Sequence, residues 1–533
     1  MAHDEPVAHT SKLTRSRVFA LLAVCAMSVG SHLEAYIARS TNELTLGPLK
    51  SRLHRELNTS NAQFSLLIAA YNLNSTWTPL VAGFLVARFG TGWASVGATG
   101  CILLGQLILF VGVTTGHIVI MTLGLFIFGL GVTPLAVVQE TLVAHLSPSK
   151  HLGISLALGL VSGKMASFVS SLVSLPLAEG YGDQAPFGLS VLLCLMSFSA
   201  NGSRLAFGWG REEGSGDHVG KRRFSWGGVS RLGDVFWLYI LLNVFSGMIW
   251  APFLHLSANI VKERYGLTDG FAAVQAAILL SGALVLYPVT GLITDRLSPH
   301  TPTTTFKLLL LSSVLTLFGY SYLSLPPTLF GTPMPGMILF ALGHGMSTLL
   351  MVILIPRFLP PELVPLGLGL HKSMEMASSA VSQTLAGIWL DAARQEPEQG
   401  GAAKGVEGLL GMFWLINIFQ LGCAICLWAL ERRRRQENRA IISAVEAEQY
   451  EPLPMNDLPG LDTDSESDPG DDGVPIRKLT PGREKEMPEK GPSSALAQTD
   501  RERSRGKVYL GVSLAWIGLV WLVFLVDAYI DLL

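Results

Sequence analysis

Two short stretches decide how this chain is read: Gly83-Phe84-Leu85-Val86-Ala87-Arg88-Phe89-Gly90 and Gly291-Leu292-Ile293-Thr294-Asp295-Arg296. Each follows a long apolar run, the second run of the chain and the eighth, and each places a glycine a few residues ahead of an arginine. One such stretch alone is a weak signal. Two at equivalent positions imply an internal repeat, in which one half of the molecule copies the other.

The runs around these stretches have the length that a bilayer asks for, about 20 apolar residues for a hydrocarbon core of ~30 Å. They fall near 18–38, 62–87, 93–113, 117–145, 152–177 and 185–207, then near 235–260, 270–294, 305–325, 334–358, 363–390 and 408–430. A polar stretch over 208–234, with Arg211, Lys221, Arg222 and Arg223, separates six from six. The expected organisation is therefore a short cytosolic N-terminus (1–17), a six-helix half (18–207), a cytosolic central loop (208–234) and a second six-helix half (235–430). Residues 431–506 are rich in Pro, Glu, Asp and Ser and bury too little apolar surface to fold alone, so a disordered cytosolic tail is expected there. Residues 507–533 hold one more run, Val508 to Val526, apolar around its whole circumference, which predicts a thirteenth, spanning helix rather than an interfacial one.

Composition agrees. Charged residues are 15% of the chain and hydrophobic residues 49%, with mean hydropathy +0.43, against roughly 25% charged in a soluble domain. A net charge of −2 with no basic stripe excludes a nucleic-acid partner. All five cysteines lie in apolar runs, so no disulfide framework is read, and Cys423 and Cys426 sit mid-helix without ligands to complete a metal set. No clustered metal ligands and no nucleophile–base arrangement occur, so no enzyme, cofactor or metal is expected. Lys12, Arg15 and Arg17 ahead of Val18–Gly30 imitate a signal peptide, but cleavage would leave an incomplete half, so this run is read as a retained first helix. With the N-terminus in the cytosol, 19 Lys/Arg gather on that side and 8 on the other, which orients the bundle, although Lys50, Arg52 and Arg55 go against the rule.

Both glycine-bearing stretches match the loop motif of the major facilitator superfamily. The resemblance implies that superfamily's fold, alternating access by rocking of the halves, and a gating role for Gly83, Arg88, Gly90, Gly291, Asp295 and Arg296. In that motif the glycine allows close helix approach and Asp and Arg latch the cytosolic face. The first copy has Ala87 where the motif has Asp. Further stretches resemble the lysosomal dipeptide transporter family within the superfamily (domain-containing protein one): Phe126 to Gln139, Phe236-Trp237 through Ala251-Pro252-Phe253, Lys262 to Gly266, and Leu366-Gly367-Leu368-Gly369 with Lys372-Ser373. That resemblance covers the twelve core helices. It implies a uniporter exporting dipeptides from an acidic organelle, lysosome or vacuole, with the plasma membrane as the other location. It also implies an acidic residue on the fourth helix for the peptide amine and a basic residue on the fifth for its carboxylate.

Lys164 occupies the basic position, near the bilayer centre, where a charge costs ~3 kcal/mol on insertion scales and so faces an internal cavity. The acidic position reads Thr133, and the arginine upstream of it reads Leu125. Two carboxylates stand in as substitutes. Glu140 returns to the same helix face two turns on, open also to a plain interfacial carboxylate near the cytosolic end. Glu375 lies near mid-membrane in the eleventh run, open also to a plain internal pair with Lys372 at i,i+3. Tyr71, Asn72, Asn74, Gln139 and Trp250 are further polar groups inside the runs, and His344, between two glycines, reads as either a proton sensor or a packed histidine. Asn58-Thr59-Ser60 is a glycosylation acceptor, and Tyr450 to Leu453 has the form of a sorting signal. The expected partners are a small-molecule substrate, a dipeptide or amino acid, and the lipid bilayer, with an accessory subunit left open. A non-transporting nutrient sensor and a carrier of another organic anion are the rival readings.

Overall fold

The computed structural model describes residues 73–182, 184–206, 226–297, 303–329, 331–395, 401–449 and 494–530. They form α1 (Thr78–Thr115), α2 (Ile118–Leu146), α3 (Leu152–Tyr181), α4 (Ala185–Ala206), α5 (Asp234–Tyr265), α6 (Asp269–Leu297), α7 (Thr303–Ser324), α8 (Met334–Phe358), α9 (Val364–Gln395), α10 (Gly401–Gln449) and α11 (Asp500–Ile530). The first run, Tyr71, Asn72, the Asn58 acceptor and Tyr450 lie outside the described residues.

Helices follow from the solvent. Where no water reaches the backbone, each N–H and C=O needs a partner within its own segment, and only the helix supplies one. Serine and threonine hydroxyls turn inward the same way: Thr78 donates to the Asn74 carbonyl at 2.7 Å and Ser246 to that of Leu242 at 2.9 Å. Among the described residues, eight helices are long and apolar enough to cross a membrane, judged by length and composition. α9 is not among them, because His371, Lys372, Glu375 and four serines interrupt its apolar character.

α1 holds the end of the second expected run, from Thr78, and the whole of the third. They part at Gly90, whose φ of 82° and ψ of 165° few residues other than glycine adopt. In the second half, Phe253, Tyr320, Phe340 and Phe413 form an aromatic core, and the fully buried Tyr320 hydroxyl donates to the Ile249 carbonyl at 3.1 Å.

Past the apolar stretch that ends near 430, α10 continues to Gln449, and the described residues resume at 494. Glu431 pairs with Arg435 and Arg433 with Glu437, i,i+4 pairs that support a helix beyond the apolar stretch. Tertiary contacts complete the support, since Arg434 pairs with Glu502 and Asn438 Oδ1 accepts from Gln498.

Candidate functional site

The two halves meet by exchanging glycines. A Cβ on Gly83 of α1 would stand 2.6 Å from the Pro365 carbonyl oxygen at the start of α9, and one on Gly291 of α6 would stand 2.7 Å from that of Gly153 at the start of α3. Only glycine permits this approach, and the two crossings exchange the roles of the halves. They lie at the end that charge asymmetry assigns to the cytosol, and the halves touch there again where His145 comes within 3.3 Å of the Pro361 carbonyl oxygen. This conformer is closed at that end.

The crossings differ in chemistry. Four residues after Gly291, the Asp295 carboxylate accepts the backbone N–H groups of Gly153 and Ile154, both at 2.8 Å. It thereby caps the N-terminus of a helix in the other half, where backbone donors are orphaned and the helix dipole favours an anion. Arg357 of α8 lies 3.4 Å from Asp295, both side chains 5% exposed, and also donates to Thr305 Oγ1 at 2.7 Å. The cation paired with Asp295 is thus Arg357, while Arg296, named with it in the motif, is exposed. Four residues after Gly83 stands Ala87, so the first crossing holds by packing and by one bond from the Leu80 N–H to Ser373 Oγ at 3.0 Å. Arg88 is exposed, its guanidinium 5.4 Å from the Phe89 ring centre.

Further in, the halves share an ion cluster. Lys372 Nζ of α9 lies 3.7 Å from Glu140 Oε1 of α2 and 3.4 Å from Glu375 Oε2 one turn along its own helix. Glu140 is buried rather than interfacial, and its Oε2 has no hydrogen-bond partner among the described residues. His371 Nε2 stands 3.7 Å from Glu375, and its Nδ1 is 2.9 Å from the Tyr239 hydroxyl, which donates to the Met351 carbonyl. The Asn243 amide holds the His371 carbonyl at 2.7 Å. With a rise of 1.5 Å per residue, Lys372 and Glu375 sit roughly 12 and 17 Å from the start of α9, near the bilayer midplane.

The other expected residues among those described have contacts of their own. His344 lies within electrostatic reach of both Glu375 and Lys164, its ring 5.3 Å from that of Trp250 and 5.6 Å from that of Phe340. Lys164 is exposed on α3. Trp250 is buried, its Nε1 without a partner among the described residues. Thr133 binds Thr78 hydroxyl to hydroxyl at 2.7 Å, Gln139 reaches the Gly159 carbonyl at 3.5 Å, and Asn74 donates to that of Phe126 at 2.7 Å. In the sequence, Lys372 reads only as a local partner of Glu375. Its second carboxylate comes from the other half, which spacing along one helix cannot reveal. His371 carried a legible signal, a histidine four residues before an intramembrane carboxylate. A separate apolar cavity of about 330 Å³ between α1 and α2, lined by Trp77, Trp93, Leu130 and Pro134, lies away from these charges.

Two helical halves joined through glycine crossings at one end and a shared ion cluster behind them define a multi-pass membrane transporter. The family model described as Major Facilitator Superfamily matches residues 33–393, and the chain belongs to that superfamily. It is similar to curated proteins named lysosomal dipeptide transporter MFSD1. The Danio rerio protein is 22% identical over 406 residues, 73% of this chain and 84% of that one, and the Homo sapiens protein 22% over 392 residues, 70% and 80%. Solved structures share the fold. A bacterial homologue of the iron transporter ferroportin has a TM-score of 0.59 at 14% identity, covering 78% of this chain and 99% of that one. The E. coli fucose:proton symporter FucP has 0.55 at 14%, covering 76% and 99%.

Proposed function

We propose that this protein carries small solutes bearing an amino group, dipeptides or amino acids, out of a lysosome or vacuole as a uniporter. One observation carries the reading: a single lysine serves two carboxylates on opposite halves, and one buried oxygen of Glu140 has no partner among the described residues. A buried, incompletely paired carboxylate is costly unless a cation or donor completes it. A substrate ammonium supplies both and competes with Lys372 for Glu140. Occupancy then alters the ion pair that joins the halves, which couples binding to rocking. Lys164, within electrostatic reach of His344, receives the substrate carboxylate, and Trp250 Nε1 offers a further donor. The similarity to proteins named as lysosomal dipeptide transporters supports the cargo and the compartment.

The test is uptake into proteoliposomes from a panel of dipeptides, free amino acids and monocarboxylates, with and without a pH gradient. Uptake of amine-bearing solutes, indifferent to the gradient, is expected. Uptake confined to monocarboxylates would overturn the reading. Lys164→Ala abolishes uptake while the melting temperature holds; retained transport with unchanged affinity removes Lys164 from the site.

A further inference from the structure

α11 lies outside the twelve-helix repeat, yet it is built into the molecule. Before it, residues 495–497 run antiparallel to 231–233, with the Gly233 N–H donating to the Ala495 carbonyl at 2.7 Å and the Ala497 N–H to that of Arg231 at 2.8 Å. The helix starts on a capping box: the Glu502 N–H donates to Thr499 Oγ1 at 3.2 Å, and the Glu502 carboxylate accepts from the Gln498 and Thr499 N–H groups. Glu502 also pairs with Arg434 of α10, and Arg505 pairs with Asp234 of α5 at 2.5 Å. Glu502, Gly506, Ser513, Ile517 and Val520 are buried along one stripe, whereas Val508, Val512, Leu522 and Val526 are exposed on the opposite side.

Along this stripe the contacts first stay within the second half. The Tyr509 ring lies 5.7 Å from that of Trp237 on α5, and Trp516 Nε1 donates to Ser378 Oγ of α9 at 3.2 Å. One turn on, the partner changes. Trp521 Nε1 donates to Thr76 Oγ1 at 3.3 Å, and Thr76 belongs to the turn that leads into α1, in the first half. Thr76 itself is fully buried and donates to the Leu73 carbonyl at 2.8 Å, so its oxygen is fixed for the indole. Trp521 therefore crosses the seam at which Pro79 and Gly83 of α1 pack on Gly369 and Pro365 of α9.

We propose that α11 is a strap carried by the second half that clasps the first half through Trp521 and favours the conformer closed at the cytosolic end. Opening that end parts α1 from α9. Thr76 moves with α1 and Ser378 with α9, so the Trp516 bond survives the motion while the Trp521 bond, already at 3.3 Å, is lost after about 1 Å of separation. The strap thus enters the conformational equilibrium with the weight of one net hydrogen bond, about fivefold in population.

The test uses the full chain in lipid nanodiscs, native cysteines replaced, with spin labels on Lys150→Cys and Glu362→Cys, two exposed positions at the closed end on opposite halves. Trp521→Phe and Thr76→Val each raise the long-distance population about fivefold, and the double variant goes no further, since each removes the same bond. Thr76→Ser keeps the hydroxyl and the parent distribution, and Trp516→Phe leaves the distribution unchanged. Parent-like distributions in both Trp521→Phe and Thr76→Val would overturn the proposal. An equal shift from Trp516→Phe would overturn it too, because α11 would then act by its general packing and not by a clasp across the seam.

Discussion

Replacing Asp295 with asparagine keeps the shape of the side chain and removes its charge, which isolates what holds the second crossing closed. In the closed conformer the carboxylate accepts two backbone N–H groups at the N-terminus of α3, at 2.8 Å each, and stands 3.4 Å from a buried Arg357. Loss of a helix N-cap costs about 1 kcal/mol, and loss of the charge at the helix terminus about 0.3–1 kcal/mol more. Asparagine retains one accepting oxygen, which reduces the first figure. Arg357 loses its counterion but keeps Thr305 and can still donate to the asparagine oxygen, so its cost, about 1 kcal/mol, stays below the ~3–5 kcal/mol of a buried ion left with no partner. Together these come to about 2 kcal/mol, or roughly a 30-fold shift toward the open form. The Lys150/Glu362 label pair reads this directly as growth of the long-distance population. An unchanged distribution would refute the latch. A lower melting temperature with unchanged distances would refute it as well, by assigning Asp295 to folding alone.

The first crossing gives the converse experiment. Ala87→Asp places a carboxylate toward the start of α9 as Asp295 is placed at the start of α3, and is expected to favour the closed form by about 0.5–1 kcal/mol; a shift toward open distances would contradict the equivalence of the two crossings. Lys372→Met leaves Glu140 and Glu375 buried without their cation and is expected to cost about 3–5 kcal/mol, seen as a clear loss of melting temperature that Glu140→Gln partly restores. Additive effects of those two substitutions would show that the two groups do not interact.

Much of the fold was legible because the bilayer imposes a simple rule. A spanning helix must be apolar for about 20 residues, so runs, their spacing and the repeat of Gly83 and Gly291 read directly from the chain. Two boundaries were less legible, for physical reasons. The break between the second and third runs shrank to Gly90, because one glycine at positive φ does the work of a loop. Apolar content falls off near residue 430, and α10 continues to Gln449 through i,i+4 ion pairs and through docking of residues far along the chain.

The candidate site divides along the same line. Sequence by itself determined which charged groups stand at membrane depth, since Lys164, Glu140, Lys372 and Glu375 interrupt apolar runs where charge is costly. It also exposed the asymmetry of the two crossings, as an alanine against an aspartate. Tertiary structure alone decided the pairing. It set Lys372 between carboxylates of opposite halves, gave Asp295 to Arg357 and to the start of α3 rather than to Arg296, and laid Trp521 on Thr76 across 445 residues of chain. The cost of a charge in an apolar medium depends on its position within its own helix, which is local and legible. The partner that offsets the cost comes from whichever helix packs alongside, and that is settled only when the halves close on one another.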